Sequence, residues 1–135
     1  MSGRDAALWQ AALGLVGTPF RYHGHDPAGG LDCAGLVAEA CRRAGHPPPQ
    51  RLPRYAIRAT AADQARQWIV AAGLIARAQP GATDIVLTDA GAGQLHLILA
   101  TRTAFIHAHA GIGRVVLVPG TADWPVLARW GLPGD

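Results

Sequence analysis

The sequence contains no lysine and no asparagine, and its only serine is Ser2. A Ser-His-Asp hydrolase is therefore not expected, and any nucleophile has to be another residue type. No apolar run approaches the roughly 20 residues of a membrane-spanning helix, so we expect no membrane partner. The net charge is +3, but no arginine-rich run or stripe of basic and aromatic residues is present. We therefore expect no nucleic-acid partner.

The length and composition are those of one globular unit. The chain has 135 residues and half of them are hydrophobic, so we predict a single domain over 1–135 with its own core. The first residues include Arg4 and Asp5 and form no apolar core, so no secretory signal is expected. We accordingly expect synthesis in the cytoplasm, with delivery by other means if the protein acts outside the cell.

The hydrophobic pattern changes character along the chain. Its first part predicts helices over 5–16, 33–44 and 60–72, with a loop over 20–30. Its second part has short β-branched and aliphatic runs that predict strands over 84–88, 95–100, 104–110 and 114–118. Residues 121–135 show no clear pattern, and Pro125 argues against a long helix there. Helices followed by a meander of strands predict the α+β class with an antiparallel sheet.

Cys33 follows Asp32 where a glycine-rich loop becomes a helix. Aspartate is a favoured N-cap residue, so Cys33 falls at the first helical position. Unpaired backbone N–H groups there are expected to lower the pKa of a thiol, and they can also hold an oxyanion. The alternative is that Cys33 only packs, as most free cysteines do. Cys41 lies on the buried face of the same helix, about 12 Å further on, which is too far for a disulfide.

Three histidines are candidates for the base that a thiolate nucleophile needs. His96 lies in one predicted strand, and His107 and His109 lie in the next. Either a two-residue hairpin loop over 101–102 or a four-residue loop over 100–103 would pair His96 directly with His107 and leave His109 on the same face, and the lack of Gly, Asn or Asp for a tight turn favours the longer loop. We expect this face to meet the N-terminal end of the Cys33 helix.

A zinc site is the alternative use of these residues. The spacing of His107 and His109 suits metal ligands, and His96 with Cys33 can complete a set of four. No Cys-x-x-Cys pair accompanies them. We expect neither a metal nor any other cofactor.

Four segments together resemble the NlpC/p60 family of papain-like cysteine peptidases, which cut cell-wall peptides. GTPFRYHG at 17–24 resembles the family's GTPYxWGG, and LDCAGLV at 31–37 resembles its DCSGLV. PGATDIVL at 80–87 is similar to PGDLV with two extra residues, and HLILATRTAFIHA at 96–108 is similar to HVGIY, a short turn and a hydrophobic-IHA end.

The resemblance implies an α+β, papain-like fold in which the single domain over 1–135 is catalytic. It implies that Cys33 is the nucleophile, that His96 takes the thiol proton, and that His107 rather than His109 orients His96. Family substrates are peptidoglycan stem peptides that contain D-glutamate and a diamino acid. The expected activity is therefore hydrolysis of D-glutamyl-diamino acid bonds.

Departures from the family motifs fall close to the nucleophile. Ala34 replaces a serine and Phe20 replaces a tyrosine, so two hydroxyls are lost. Tyr22 stands at a tryptophan position and can supply a phenol, and His23 stands at a glycine position. We assign Tyr22, His23, Asp32 and Ala34 to binding of the substrate or the oxyanion. The loss of the serine at Ala34 argues against recognition of a free peptide amine and favours intact wall as the substrate.

A catalytic domain of this size without an export signal resembles the peptidases of phage tails and gene-transfer agents. Phage-like tail proteins are then expected partners, and the expected place of action is the periplasm or wall. Two other functions fit the same residues. One is a structural or adaptor protein of a tail tip with weak activity, and the other is a thiol amidase or acyltransferase.

Overall fold

The computed structural model describes residues 3–47, 62–91 and 94–134. Its helices are α1 (Gly3–Leu13), α2 (Cys33–Arg43) and α3 (Ala62–Ala71). The first helix is shorter than predicted because the chain turns at residues 14–17, where Gly17 adopts a φ of 93°. The predicted start of the third helix, residues 60 and 61, lies outside the described residues. Among the described residues, no helix combines the length and the apolar character needed to cross a bilayer.

The described residues form eight strands. They are β1 (His25–Asp26), β2 (Gly30–Leu31), β3 (Ile75–Ala76), β4 (Asp84–Asp89), β5 (Leu95–Ala100), β6 (Ala104–His109), β7 (Arg114–Pro119) and β8 (Val126–Gly131). Of these, β4–β7 match the four predicted strands and the other four are additions. The short strands β1 and β2 pair inside the predicted loop, and the other six form one sheet in the order β3-β8-β4-β5-β6-β7. Every pairing in this sheet is antiparallel, which confirms the α+β class.

The last strand is the largest addition to the predicted architecture. β8 inserts between β3 and β4, in the tail for which the sequence showed no pattern. Pro125 immediately precedes it, and the Pro125 carbonyl accepts a hydrogen bond of 3.0 Å from the backbone N–H of Asp89. The proline thus excludes a helix at this point, as predicted, and starts a strand in its place.

The two faces of the central sheet hold separate hydrophobic clusters. The larger cluster joins the sheet to α1 and α2, and Leu97 and Ile106 are among its buried residues. The smaller cluster consists of Val86, Ile98 and Phe105 on the opposite face. Because successive side chains of a strand alternate between faces, His96 and His107 lie on the side of the smaller cluster.

The first turn of α2 is fixed by its cap and by a glycine. Asp32 is the N-cap, and its Oδ1 accepts a hydrogen bond of 2.8 Å from the backbone N–H of Gly35. A Cβ at Gly35 would overlap the backbone oxygen of Gly24. The glycine therefore lets the preceding loop pack directly against the start of the helix.

Arg77 connects α1 to the sheet through two buried carboxylates. Its guanidinium lies 2.8 Å from Oδ1 of Asp5 and 2.8 Å from Oδ1 of Asp84. Asp84 also accepts hydrogen bonds from the backbone N–H of Gly81. Burial alone raises the pKa of Asp5, but the hydrogen bonds from Arg77 and Thr83 outweigh it, and the pKa is lowered.

Candidate active site

A cavity of about 250 Å³ opens at the N-terminal end of α2. Its wall includes Cys33 from the helix, His96 from β5, and His107 and His109 from β6. Trp124, from the segment between β7 and β8, completes one side. The fold thus brings the predicted nucleophile and the three predicted histidines to one site.

The cavity lies where two neighbouring strands stop pairing. β5 and β6 pair only beside their turn, at Leu99 with Ile106 and at Ala100 with Phe105. Each strand remains paired on its outer side, β5 with β4 and β6 with β7, over six residue pairs. The two strands are therefore separated at the level of His96, and the cavity occupies this fork.

The register of the hairpin differs from the predicted one by two residues. The predicted loop would have paired Leu99 with Ala104, whereas Leu99 pairs with Ile106. The observed loop is 102–103, because the backbone N–H of Thr101 donates to the Ala104 carbonyl at 2.9 Å and the Thr101 hydroxyl group bonds within the turn. Direct pairing of His96 with His107 was therefore wrong. Their placement on one face was right, because an even shift preserves it.

The expectation that the histidine face of the sheet meets the N-terminal end of α2 also needs correction. His96 and His107 lie on the side opposite the large helix-packed cluster, so α2 does not meet them across that face. The N-terminal end of α2 reaches them through the open end of the hairpin, where Cys33 lines the same cavity.

Cys33 is buried, and three backbone groups surround its thiol. Burial raises the pKa of the thiol to about 11, and the charge of Asp32 acts in the same direction. Hydrogen bonds from the backbone of Leu97, Ala34 and Cys33 itself oppose this rise but are outweighed. The lowered pKa expected from the helix start was therefore wrong for the resting state. The helix field is present, but desolvation of the thiolate is the larger effect.

His96 and His107 form a hydrogen-bonded pair. Nε2 of His96 lies 2.9 Å from Nδ1 of His107, and the two rings stand at 89° to each other. When Nε2–H of His96 is the donor, its Nδ1 carries the free lone pair that a base needs. This tautomer requires a neutral His107 that accepts through Nδ1.

Burial keeps both imidazoles neutral. It lowers the pKa of His96 to about 4, with smaller contributions from His107 and His109. Burial, followed by the charge of His109, lowers the pKa of His107 to about 4 as well. At neutral pH the site therefore holds a thiol, a free base and a neutral acceptor beside it.

Of the comparisons with known proteins, only the one with solved structures identifies the fold. No protein-family model matches the sequence, and no functionally curated protein matches it. Among solved structures, the NlpC/p60 domain of the peptidoglycan hydrolase SagA has a TM-score of 0.58 at 20% identity, covering 88% of this chain and 90% of that one. The fold is that of an NlpC/p60 domain.

A second NlpC/p60 structure supports the same assignment. It comes from Staphylococcus aureus subsp. aureus Mu50, where the protein (SAV0400) is described as similar to a lipoprotein of the NLP/P60 family. Its TM-score is 0.63 at 18% identity, and the match covers 100% of this chain. This chain spans 43% of the length of that protein.

His109 has a local structural contact in this NlpC/p60 fold. Its Nδ1 accepts a hydrogen bond of 3.0 Å from the backbone N–H of Ile112, so the ring closes the turn between β6 and β7. It also lines the cavity beside His107. Within the described ranges, no group of three or more His, Cys, Asp or Glu residues is arranged to hold a metal ion.

Of the four residues assigned to substrate or oxyanion binding, two line the cavity and two do not. Tyr22 and Asp32 line the cavity, and the Tyr22 ring is 66% exposed and packs edge-on against Phe20. Asp32 uses both carboxylate oxygens internally, since Oδ2 accepts from the backbone N–H of His23 at 3.1 Å. His23 has a φ of 59°, the left-handed conformation that suits the glycine of the family motif. The Ala34 side chain is buried, while its backbone bonds toward the Cys33 thiol.

Trp124 is the site residue that sequence reasoning missed. Its indole packs against the rings of His96, His107 and Phe105. It precedes Pro125 in the tail without a hydrophobic period, and its spacing from His96 carries no information. A tryptophan beside a proline is the one local signal of an ordered segment there.

Proposed function

We propose that this protein is a cysteine peptidase that hydrolyses D-glutamyl-diamino acid bonds in the stem peptides of bacterial peptidoglycan. The observation that carries the proposal is that Cys33 and the hydrogen-bonded His96–His107 pair line one cavity of an NlpC/p60 fold. SagA, whose domain shares the fold, is named a peptidoglycan hydrolase. The sequence motifs that carry Cys33, His96 and His107 resemble those of the same family.

In the first half of the reaction, Nδ1 of His96 accepts the thiol proton while Sγ of Cys33 attacks the carbonyl carbon of the scissile peptide. His107 holds the Nε2–H of His96 and stabilises the imidazolium that forms. Because burial favours the neutral thiol and the neutral imidazole, the proton moves as the S–C bond forms.

The negative charge on the carbonyl oxygen needs donors that are already in place. The backbone N–H groups of Cys33 and Ala34 at the start of α2, and that of Leu97 on β5, face the thiol. They are our candidates for the oxyanion hole. The side chain of Ala34 takes no part in this role, so the loss of the family serine leaves these donors intact.

In the second half, the tetrahedral intermediate breaks its C–N bond and the His96 imidazolium gives its proton to the leaving amine. The acyl group is then a thioester on Cys33. A water molecule loses a proton to Nδ1 of His96 and attacks the thioester carbon. Cleavage of the C–S bond releases the carboxyl product, and the proton on His96 returns to the thiol.

The test is digestion of purified peptidoglycan with wild type, Cys33→Ala and Cys41→Ala, followed by mass spectrometry of the released peptides. Cys41 is a matched control because it is also a buried cysteine of α2 but does not line the cavity. Wild type and Cys41→Ala should release peptides with a new amino end at the diamino acid and leave a new D-glutamyl carboxyl end on the wall, and Cys33→Ala should release none. Equal release by Cys33→Ala would refute the proposal. An added amine that becomes attached to the product would indicate acyl transfer.

One observation favours a second candidate, a tail-tip structural or adaptor protein with weak activity. The raised pKa of Cys33, about 11, is unfavourable for a strong thiol nucleophile. The same digestion distinguishes the two functions. A folded wild-type protein that releases no peptide under any condition supports the structural role.

The resemblance to particle-borne peptidases supports a proposal about delivery. We propose that the protein is carried by a phage-like or gene-transfer-agent particle, contacts tail proteins there, and acts in the periplasm or wall. Mass spectrometry of purified particles from the producing culture tests this. The protein should co-purify with tail proteins through a density gradient, and its absence from intact particles would contradict the proposal.

A further inference from the structure

The indole of Trp124 packs against both members of the histidine pair. Its ring centroid lies 5.3 Å from that of His96 at an interplanar angle of 88°, and 5.5 Å from that of His107 at 74°. It also lies 6.1 Å from the ring of Phe105 at 69°. These are edge-to-face contacts, the arrangement that aromatic rings favour.

The pair has few other restraints on its orientation. Among the described residues, His107 is the one hydrogen-bond partner of the His96 ring. A single hydrogen bond leaves the ring free to rotate away from the geometry in which Nδ1 is available to Cys33. Packing against the rings of Trp124 and His107 opposes this rotation, and Trp124 contacts both members of the pair.

Trp124 also lines two cavities. One is the site cavity of about 250 Å³, and the other is a second cavity of about 80 Å³. Val86, Ile98 and Phe105 contribute to the wall of the second cavity. Loss of the indole would join the two spaces and admit water beside the histidine pair.

We propose that Trp124 is a positioning residue of this site, which holds the His96 and His107 rings at right angles and keeps water from their hydrogen bond. The effect of Trp124 on catalysis rests on the proposed function. Its effect on the orientation and hydration of the two rings rests on ring geometry alone. Trp124 acts through the histidines and needs no contact with substrate.

The titration of the histidines reports this role directly. The titratable groups that share the cavity with His96 are Tyr22 before α2, Asp32 and Cys33 at its start, and His107 and His109 on β6. Burial is the largest cause of the lowered pKa of His96 and of His107. Because Trp124 supplies part of that burial, its removal should raise both pKa values while the charges stay the same.

The experiment is an NMR titration of the histidine C2–H signals in wild type, Trp124→Ala, Trp124→Phe and Trp9→Ala. Trp9 is a matched control, because it is also half-buried but packs on the helix side of the core. Signals are assigned from the His96 and His107 variants. In wild type and Trp9→Ala we expect both pKa values near 4. In Trp124→Ala they should rise toward the ordinary value of about 6.5, with a smaller rise in Trp124→Phe.

Unchanged pKa values in folded Trp124→Ala would overturn the inference. If that variant does not fold, Trp124→Phe decides, and unchanged values there overturn it equally. Wall digestion is measured in parallel, where kcat should fall by up to ~10²-fold in Trp124→Ala with little change in KM. A wild type that releases no peptide would refute the proposed function, while the titration would still decide the role of Trp124.

Discussion

Nε2 of His96 meets Nδ1 of His107 at 2.9 Å, with the two rings at 89°. The atoms involved determine which substitutions can preserve the pair. His107 accepts through the ring nitrogen nearest its backbone, so a replacement must present an acceptor at that short distance. His96 then keeps its second nitrogen for the proton of Cys33.

The first prediction concerns His107. The Oδ1 of an asparagine lies close to where Nδ1 stands, so His107→Asn should retain much of the wall-digesting activity. His107→Gln carries its oxygen one bond further out and should retain less. His107→Ala leaves the ring of His96 without an acceptor and should lose about 10²-fold or more in kcat.

His109→Ala is the matched control for these variants. His109 lies on the same strand, but its Nδ1 bonds to the Ile112 backbone rather than to His96. We expect only a small loss of activity. Equal sensitivity of His107 and His109, together with inactivation by a chelator and rescue by zinc, would instead indicate a metal site.

The second prediction concerns the two thiols. Burial raises the pKa of Cys33 to about 11 and that of Cys41 to about 12. Both should react slowly with iodoacetamide at pH 7.5 in the folded protein, and the Cys33 rate should keep rising above pH 9. In urea both should react like free thiols, whose pKa is about 8.5. Mass spectrometry of Cys33→Ser and Cys41→Ala assigns each rate, and a Cys33 rate that is already constant below pH 7 would show a preformed thiolate.

The third prediction is a pH dependence of stability. His96 and His107 have folded pKa values near 4, below the ordinary value of about 6.5. The unfolded chain therefore binds more protons between these limits, and the free energy of unfolding should fall as the pH drops from about 6.5 to about 4. Urea unfolding at closely spaced pH values measures this decline. It should be shallower in His107→Asn, and an identical slope would contradict the assignment.

The fourth prediction concerns the ionic contacts between α1 and the sheet. Arg77→Met leaves the buried carboxylates of Asp5 and Asp84 without their shared guanidinium. The free energy of unfolding should fall by about 3 kcal/mol. Arg42→Ala removes an exposed guanidinium from Glu39, which keeps its contact with Arg43, so the free energy of unfolding should fall much less. Similar losses in the two variants, measured by urea unfolding, would show that Arg77 has no special role.

The sequence pattern correctly predicted the features of the site that depend on neighbouring residues, which are the start of α2 and the faces of β5 and β6. The N-cap residue Asp32 and the apolar face behind it placed Cys33 at the start of α2, as observed. Alternation along β5 and β6 placed His96 and His107 on one face, as observed. The predicted register of the β5–β6 hairpin was wrong because the turn sequence TRT has no glycine or asparagine that would identify the turn type. The hydroxyl group of Thr101 stabilises the observed turn through hydrogen bonds to the backbone of Ala104.

Properties that depend on the whole fold were not accessible in this way. The pKa of Cys33 follows from how deeply the thiol is buried, and a helix-start motif contains no information on depth. β8 and Trp124 come from a segment without alternation, since the exposure of β8 falls in one direction, from Val126 to Gly131, rather than alternating residue by residue. The place of β8 depends on its pairing with β3 and β4, and that of Trp124 on the cavity that it lines.

The fork between β5 and β6 has a consequence for how the site can be altered. The pairing of these strands ends at Leu99–Ile106, so no backbone hydrogen bond between them fixes the distance between the strands at His96 and His107. That distance is set from outside, by β4 and β7, which carry neither of these histidines. Selection can therefore adjust the spacing of base and orienting residue through two strands that contribute no member of the pair.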